Sequence, residues 1–205
     1  SVDADSWNGA YTGDVVVLKP IGQGSNNQKY RVACVIGQEN TPGILGLISL
    51  HEKGLSKTFS DASMKEAATM TVPELGNRED LRNVPLVTID GPDSRDFDDA
   101  VFAEPTENGG FHLLVAIADV SWYVQPGSKL DEEAYERGNS TYLPDRVLPM
   151  LPEGISNDLC SLRPHEERAC MAFHIWIDKD GQMNDYKVVR GLMRSAARLT
   201  YGQVQ

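Results

Sequence analysis

Between two apolar runs, Leu86-Val87-Thr88-Ile89 and Ala100-Val101, the chain places five aspartates in ten residues: Asp90, Asp93, Asp96, Asp98 and Asp99. Arg95 is the single cation among them. Two unit charges 4 Å apart repel by about 1 kcal/mol in water and about 4 kcal/mol at an effective dielectric of 20. Packing several acids on one loop is therefore costly unless protons or cations compensate. Two readings are open from spacing alone. One is a solvated acidic turn, since Asp is common in turns for local hydrogen-bonding reasons. The other is a cation site, because hard divalent ions favour oxygen ligands and Mg²⁺ takes a few carboxylates together with waters and phosphates. The apolar flanks favour the second, since they make the loop emerge from a buried strand.

Other acidic motifs fit less well. An EF-hand loop starting at Asp96 would need an acid at its fifth position and Gly at its sixth, where this chain has Ala100 and Val101. Asp96-Phe97-Asp98 satisfies the D-x-D pattern of metal-dependent nucleotide-sugar transferases, but three residues carry little information. Three widely spaced cysteines (Cys34, Cys160, Cys170) without C-x-x-C argue against a disulfide framework or a zinc site and read as buried free thiols. The four histidines form no metal-binding pair, and they read as structural or surface residues.

The segments around the acidic run predict an α+β fold with a mixed or antiparallel sheet. Residues 13–36 read as short strands around a Gly/Ser/Asn loop from Gly22 to Asn27. Residues 44–50 are apolar and of uncertain type. A helix opens near Ser60, with Ser63 and Glu66 at capping-box spacing. Residues 77–82 read as a charged connector, 86–89 as a strand, and 100–103 and 111–118 as a hairpin about Asn108-Gly109. A second helix starts at Ser128 and stops at Gly138. A Pro-marked stretch follows from 142 to 164, then a hairpin of 169–177 and 185–193 about Asp180-Gly181. Lys187, Arg190, Arg194 and Arg198 are candidates for lining an RNA channel, or for a solvated strand edge. No apolar run approaches the length of a membrane span, and the acidic, polar N-terminus, which starts without Met, is not a signal peptide. The net charge of −11 speaks against nucleic-acid binding when taken alone, but binding depends on the local field.

Five ordered blocks carry a resemblance: residues 87–101; Ala116-Ile117-Ala118-Asp119-Val120-Ser121; Thr141-Tyr142-Leu143-Pro144 with Val147-Leu148-Pro149-Met150-Leu151-Pro152; Leu159-Cys160-Ser161-Leu162; and Ala197-Arg198-Leu199-Thr200-Tyr201. In these blocks the sequence resembles the catalytic (RNB) domain of the RNase II/RNase R family, leaning toward RNase R. Residues 37–205 resemble the N-terminal part of that domain, and residues 1–36 the last strands of a preceding OB-type cold-shock domain. The resemblance implies a processive, Mg²⁺-dependent 3′→5′ exoribonuclease that degrades single-stranded RNA to nucleoside 5′-monophosphates in the cytoplasm, away from membranes. It assigns metal binding and catalysis to Asp90, Asp96, Asp98 and Asp99, with Asp98 most critical for hydrolysis. It gives Tyr142 a stacking role on the 3′-terminal nucleotide, and Arg95 joins it as a substrate-binding candidate. Asp93 receives no role beyond the turn. The family's domain continues past the length of this chain with an arginine and a glutamate near the metals. The expectation is therefore a cut piece, completed by the rest of the enzyme or by a second chain. A non-catalytic RNA- or protein-binding remnant is the alternative, and the D-x-D transferase a distant third.

Overall fold

The computed structural model describes residues 2–22 and 28–205. Beyond Gly22, the polar loop expected up to Asn27 lies outside the described residues. In chain order the elements are β1 (Asp14–Ile21), β2 (Lys29–Gln38), α1 (Ile44–Glu52), α2 (Asp61–Ala67), β3 (Glu79–Leu81), β4 (Val87–Asp90), β5 (Asp99–Pro105), β6 (Phe111–Ala118), α3 (Val120–Tyr123), α4 (Lys129–Arg137), β7 (Thr141–Leu143), β8 (Arg146–Leu148), a π-helical turn (Ile155–Leu159), β9 (Glu167–Ile177), β10 (Met183–Arg194), β11 (Ala197–Thr200) and α5 (Tyr201–Val204). The fold class is α+β, as the segment pattern predicts.

The chain divides into two compact units. The first comprises residues 1–58 with 141–148. Its β1–β2 hairpin is an antiparallel ribbon. β1 runs through Pro20, which is tolerated because each strand of a two-stranded ribbon has one unpaired side. The apolar run of uncertain type is helix α1, and its buried positions Ile44, Leu47 and Leu50 share one face, packing with Leu148. Part of the Pro-marked stretch forms a second hairpin, β7–β8. Cys34 is exposed, which corrects the reading of all three cysteines as buried.

The second unit, residues 59–140 with 149–205, is built on a seven-stranded sheet of order β11-β4-β5-β6-β9-β10-β3. Its interior pairs are antiparallel, while β11 on β4 and β3 on β10 are parallel. Both expected hairpins form, with Gly109 and Gly181 at φ 80° supplying the left-handed turn residue. Strand alternation sends Leu114, Ala116 and Ala118 of β6, with Cys170 and Ala172 of β9, into one core. Leu86, Leu130, Ile155 and Leu162 fill it.

Two local expectations are corrected. The cap of α2 is Ser60, whose Oγ accepts from the Ser63 N–H. Ser63 is a buried helical residue whose hydroxyl lies 2.7 Å from Glu133 of α4, and Glu66 accepts from the Leu130 N–H instead of closing a box with Ser63. Burial would raise Glu133, but hydrogen bonds from Ser63, the Ser60 N–H and Arg137 outweigh it and hold the carboxyl down to about 2. The charged connector contains strand β3. Its single buried apolar residue, Leu81, packs over Gly191, where a Cβ would stand 2.8 Å from Leu81 Cδ1.

On the core-facing side of β6 and β9, the rings of His112, His174 and Trp176 stack nearly parallel, with centroids 5.0–5.9 Å apart. Glu104 lies 3.1 Å from His112, and His112 Nε2 lies 3.0 Å from His174 Nδ1. His174 Nε2 lies 3.0 Å from Glu79 without hydrogen-bond alignment, and Lys187 pairs with Glu79 at 2.7 Å. Burial depresses the His174 pKa below the ordinary 6.5, outweighing the pull of Glu79. The unfolded chain therefore takes up this proton first as pH falls. The stability His174 contributes is complete above 6.5 and is lost as pH falls through its lower folded value. Glu79, lowered mainly by the Lys187 hydrogen bond, loses its contribution in a separate window below 4.5. Thermal melts of the wild type should fall more steeply from pH 7 to pH 5 than those of His174→Leu; parallel slopes would contradict this.

Candidate active site

The acidic run spans the end of β4 and the start of β5. Asp90 closes β4, opposite Thr200 of the parallel strand β11, and Asp99 opens β5, opposite Ile117. The chain leaves the sheet between them, and its return is pinned from inside. Phe97 is buried in the core, while its neighbours Asp96 and Asp98 are partly exposed and exposed, respectively. The Phe97 N–H donates to Ser161 Oγ at 3.1 Å, and Ser161 Oγ donates to the Arg95 carbonyl at 3.0 Å. The Leu162 N–H donates to the Phe97 carbonyl, and the Ala118 N–H to the Asp98 carbonyl, both at 2.8 Å. Across the loop, Arg198 donates to the carbonyls of Gly91 and Pro92 at 3.1 and 2.6 Å, with its guanidinium 5.1 Å from the Phe97 ring centre.

The electrostatics show the crowding directly. Burial raises the Asp90 pKa, and Asp99 and Asp96 raise it further against a partial pull from Arg198. Burial also raises Asp98, with Asp96, Asp99 and Asp90 adding to it, although one side of Asp98 faces solvent. Four of the five aspartates thus act on one another's charge, while Asp93 stands exposed on the turn. The donor set fits a hard divalent cation: all oxygen, anionic and short of compensating positive charge. Among the described residues, no three His, Cys, Asp or Glu side chains are gathered as a coordination shell, so the fit lies in the donors and their mutual repulsion. Behind the loop, burial pushes the Cys160 thiol up to about 12, with the Asp98 charge adding to it, and burial pushes Cys170 up to about 12 as well. Neither is a nucleophile at neutral pH.

Tyr142 lies on β7 in the other unit, with its side chain 70% exposed, and Arg95 is exposed beside the acids. Of the four late basic residues, Arg194 is exposed at the end of β10, while the other three are engaged within the fold. Lys187 is paired with Glu79, Arg190 lies 3.1 Å from Asp119, and Arg198 holds the loop carbonyls. Each satisfies a partner within the fold, which composition could not reveal.

The chain belongs to the RNB-domain family, whose pattern matches residues 78–205. The resemblance carried by the five blocks is borne out. Ribonuclease R of Vibrio parahaemolyticus is 46% identical over 202 residues, covering 96% of this chain and 24% of that protein. Ribonuclease R of Escherichia coli is 42% identical over 209 residues, covering 99% of this chain and 26% of that protein. The chain thus spans about a quarter of the length of these relatives. Among solved structures, Mycoplasma genitalium RNase R in complex with double-stranded RNA superposes with a TM-score of 0.92 at 31% identity, covering all of this chain and 37% of that one. Yeast Ssd1, described as a pseudonuclease, shares the fold at a TM-score of 0.75 and 16% identity, over 95% of this chain and 25% of its own. Sequence reasoning did not single out Asp119 or Ser161, although each lies inside a quoted family block, and it read Arg198 as a channel-lining or strand-edge residue, whereas its guanidinium donates to the loop carbonyls.

Proposed function

We propose that this chain is the N-terminal part of a metal-dependent 3′→5′ exoribonuclease that degrades single-stranded RNA processively to nucleoside 5′-monophosphates, with Mg²⁺ as the cofactor. The observation that carries the reading is the electrostatic coupling of Asp90, Asp96, Asp98 and Asp99 on a pinned loop, in a member of a family whose curated relatives are named ribonucleases. These four carboxylates would hold the ion. Bound there, a hard divalent cation supplies charge neutralisation and polarisation of the phosphodiester. Asp98, exposed next to the buried Phe97, is assigned the hydrolytic role. The exposed ring of Tyr142 is suited to stacking on a terminal base, an interaction worth about 1–3 kcal/mol and tolerant of base identity. Arg95 is assigned to substrate phosphate. Residues 1–36 are read as the closing strands of an OB-type domain and residues 37–205 as the start of the catalytic domain, completed by the remaining length of the enzyme or by a second chain. No helix among the described residues is long and apolar enough to cross a membrane, and the assigned setting is the cytoplasm.

One observation favours a second reading. Ssd1 keeps the fold and is described as a pseudonuclease, so the fold by itself does not settle catalysis, and a non-catalytic RNA- or protein-binding role is the alternative. A time course on 5′-labelled single-stranded RNA separates them, run with this chain and with a version extended past Gln205, in Mg²⁺ or in EDTA. The expected result for the extended protein is progressive shortening from the 3′ end with release of 5′-monophosphates, abolished by EDTA. RNA left intact in Mg²⁺ would support the non-catalytic reading.

A further inference from the structure

A loop that crowds four carboxylates should relax by letting them move apart. Holding them together requires restraints, and two side chains in this fold grip the loop's backbone without forming an ion pair with any of the acids. On the β4 side, Arg198 of β11 spends its hydrogen bonds on two neutral acceptors, the Gly91 and Pro92 carbonyls, at 3.1 and 2.6 Å. Its guanidinium also lies 5.1 Å from the ring centre of Phe97. On the β5 side, Ser161 is fully buried, and its hydroxyl uses both of its roles on the loop, accepting from Phe97 N–H and donating to the Arg95 carbonyl. Ser161 is itself fixed from behind. Its carbonyl accepts from Arg168 Nε at 3.0 Å, and the buried Arg168 is anchored by Asp158 at 3.0 Å and Glu166 at 2.6 Å.

We infer that Arg198 and Ser161 are positioning residues that grip the two shoulders of the acidic loop and set Asp90 against Asp96, Asp98 and Asp99. The inference rests on the metal-site reading above, but the grip itself can be read without metal. Simple electrostatics predicts the opposite of positioning for Arg198. Removing a cation next to Asp90 should tighten binding of a divalent ion, whereas removing a brace should loosen it. The sign of the change therefore separates the two roles.

The test uses this whole chain with Arg198→Ala, Arg198→Lys and Ser161→Ala. Amide hydrogen exchange is measured without metal, and Mn²⁺ uptake is followed by the loss of the free-ion electron paramagnetic resonance signal. Arg198→Ala and Ser161→Ala should each speed exchange over residues 91–98 by about tenfold, the scale of losing ordinary hydrogen bonds, with residues 111–118 of the central strand β6 unchanged. Both should bind Mn²⁺ about tenfold more weakly, with Arg198→Lys partly restoring both readouts. Exchange over 91–98 equal to the wild type, or Mn²⁺ bound as tightly or more tightly by Arg198→Ala, would overturn the inference. If Arg198→Ala does not fold, Ser161→Ala, which deletes one hydroxyl, decides by the same criteria. A wild-type chain that takes up no Mn²⁺ sinks the metal-site reading instead, and exchange over 91–98 still judges the grip.

Discussion

Asp119→Ala should destabilise the sheet unit by about 3–5 kcal/mol, the cost of breaking a buried ion pair and leaving a charge uncompensated. The Asp119 carboxylate has no exposed surface, and it is held by Arg78 at 2.9 Å and Arg190 at 3.1 Å, with the Ser121 hydroxyl donating at 2.9 Å. Arg78 is nearly as buried, donates to the Gly191 carbonyl at 3.3 Å and lies 4.9 Å from the Trp122 ring centre. Without Asp119, the Arg78 guanidinium would remain beneath the sheet with no counter-charge. A loss of this size is a large part of the 5–15 kcal/mol that a typical domain has in total. Urea melts followed by circular dichroism would measure it. Replacing both partners, Asp119→Leu with Arg78→Met, should recover much of the loss, because well-packed apolar residues often substitute for a buried pair. A midpoint for Asp119→Ala within error of the wild type would mean that water reaches the pair.

Asp98→Asn should reduce RNA hydrolysis by at least about 10²-fold, equivalent to about 2.7 kcal/mol of transition-state stabilisation. Asp93→Asn should leave it nearly unchanged. The two residues share one loop and one chemistry. They differ in that Asp98 is electrostatically coupled to Asp90, Asp96 and Asp99, while Asp93 is exposed on the turn. Initial rates for both variants, in the extended form if this chain alone is inactive, make the comparison internal. Equal rates for Asp98→Asn and the wild type would remove Asp98 from the chemistry, and an equal loss in both variants would reduce the effect to net charge.

Local signals were read correctly where their cause is local. Asn108-Gly109 and Asp180-Gly181 form turns because the left-handed backbone there is a property of glycine itself. Ser128 caps α4 by accepting from the Asp131 N–H, and Gly138 stops that helix at φ 74°. The same local logic failed at Ser63. Its spacing to Glu66 suits a capping box, but packing of α2 on α4 recruits both side chains to the second helix. It failed at β3 too, because a strand with one buried apolar residue, at Leu81, shows no periodicity.

The acidic loop shows where the division falls. Residue type and order along the chain were enough to place five aspartates between apolar strands and to place the chain in the RNB family. Those properties reside in residue type, spacing and order. Which residues bond to the loop backbone is visible only in the assembled fold. Arg198 arrives from a parallel neighbouring strand and Ser161 from the bend that follows a π-helical turn; the Asp119–Arg78 pair likewise joins segments flanking β6 and β3, which approach only when the sheet assembles. Contacts between residues far apart in the chain depend on the closed fold, and no periodicity or spacing along the sequence encodes them.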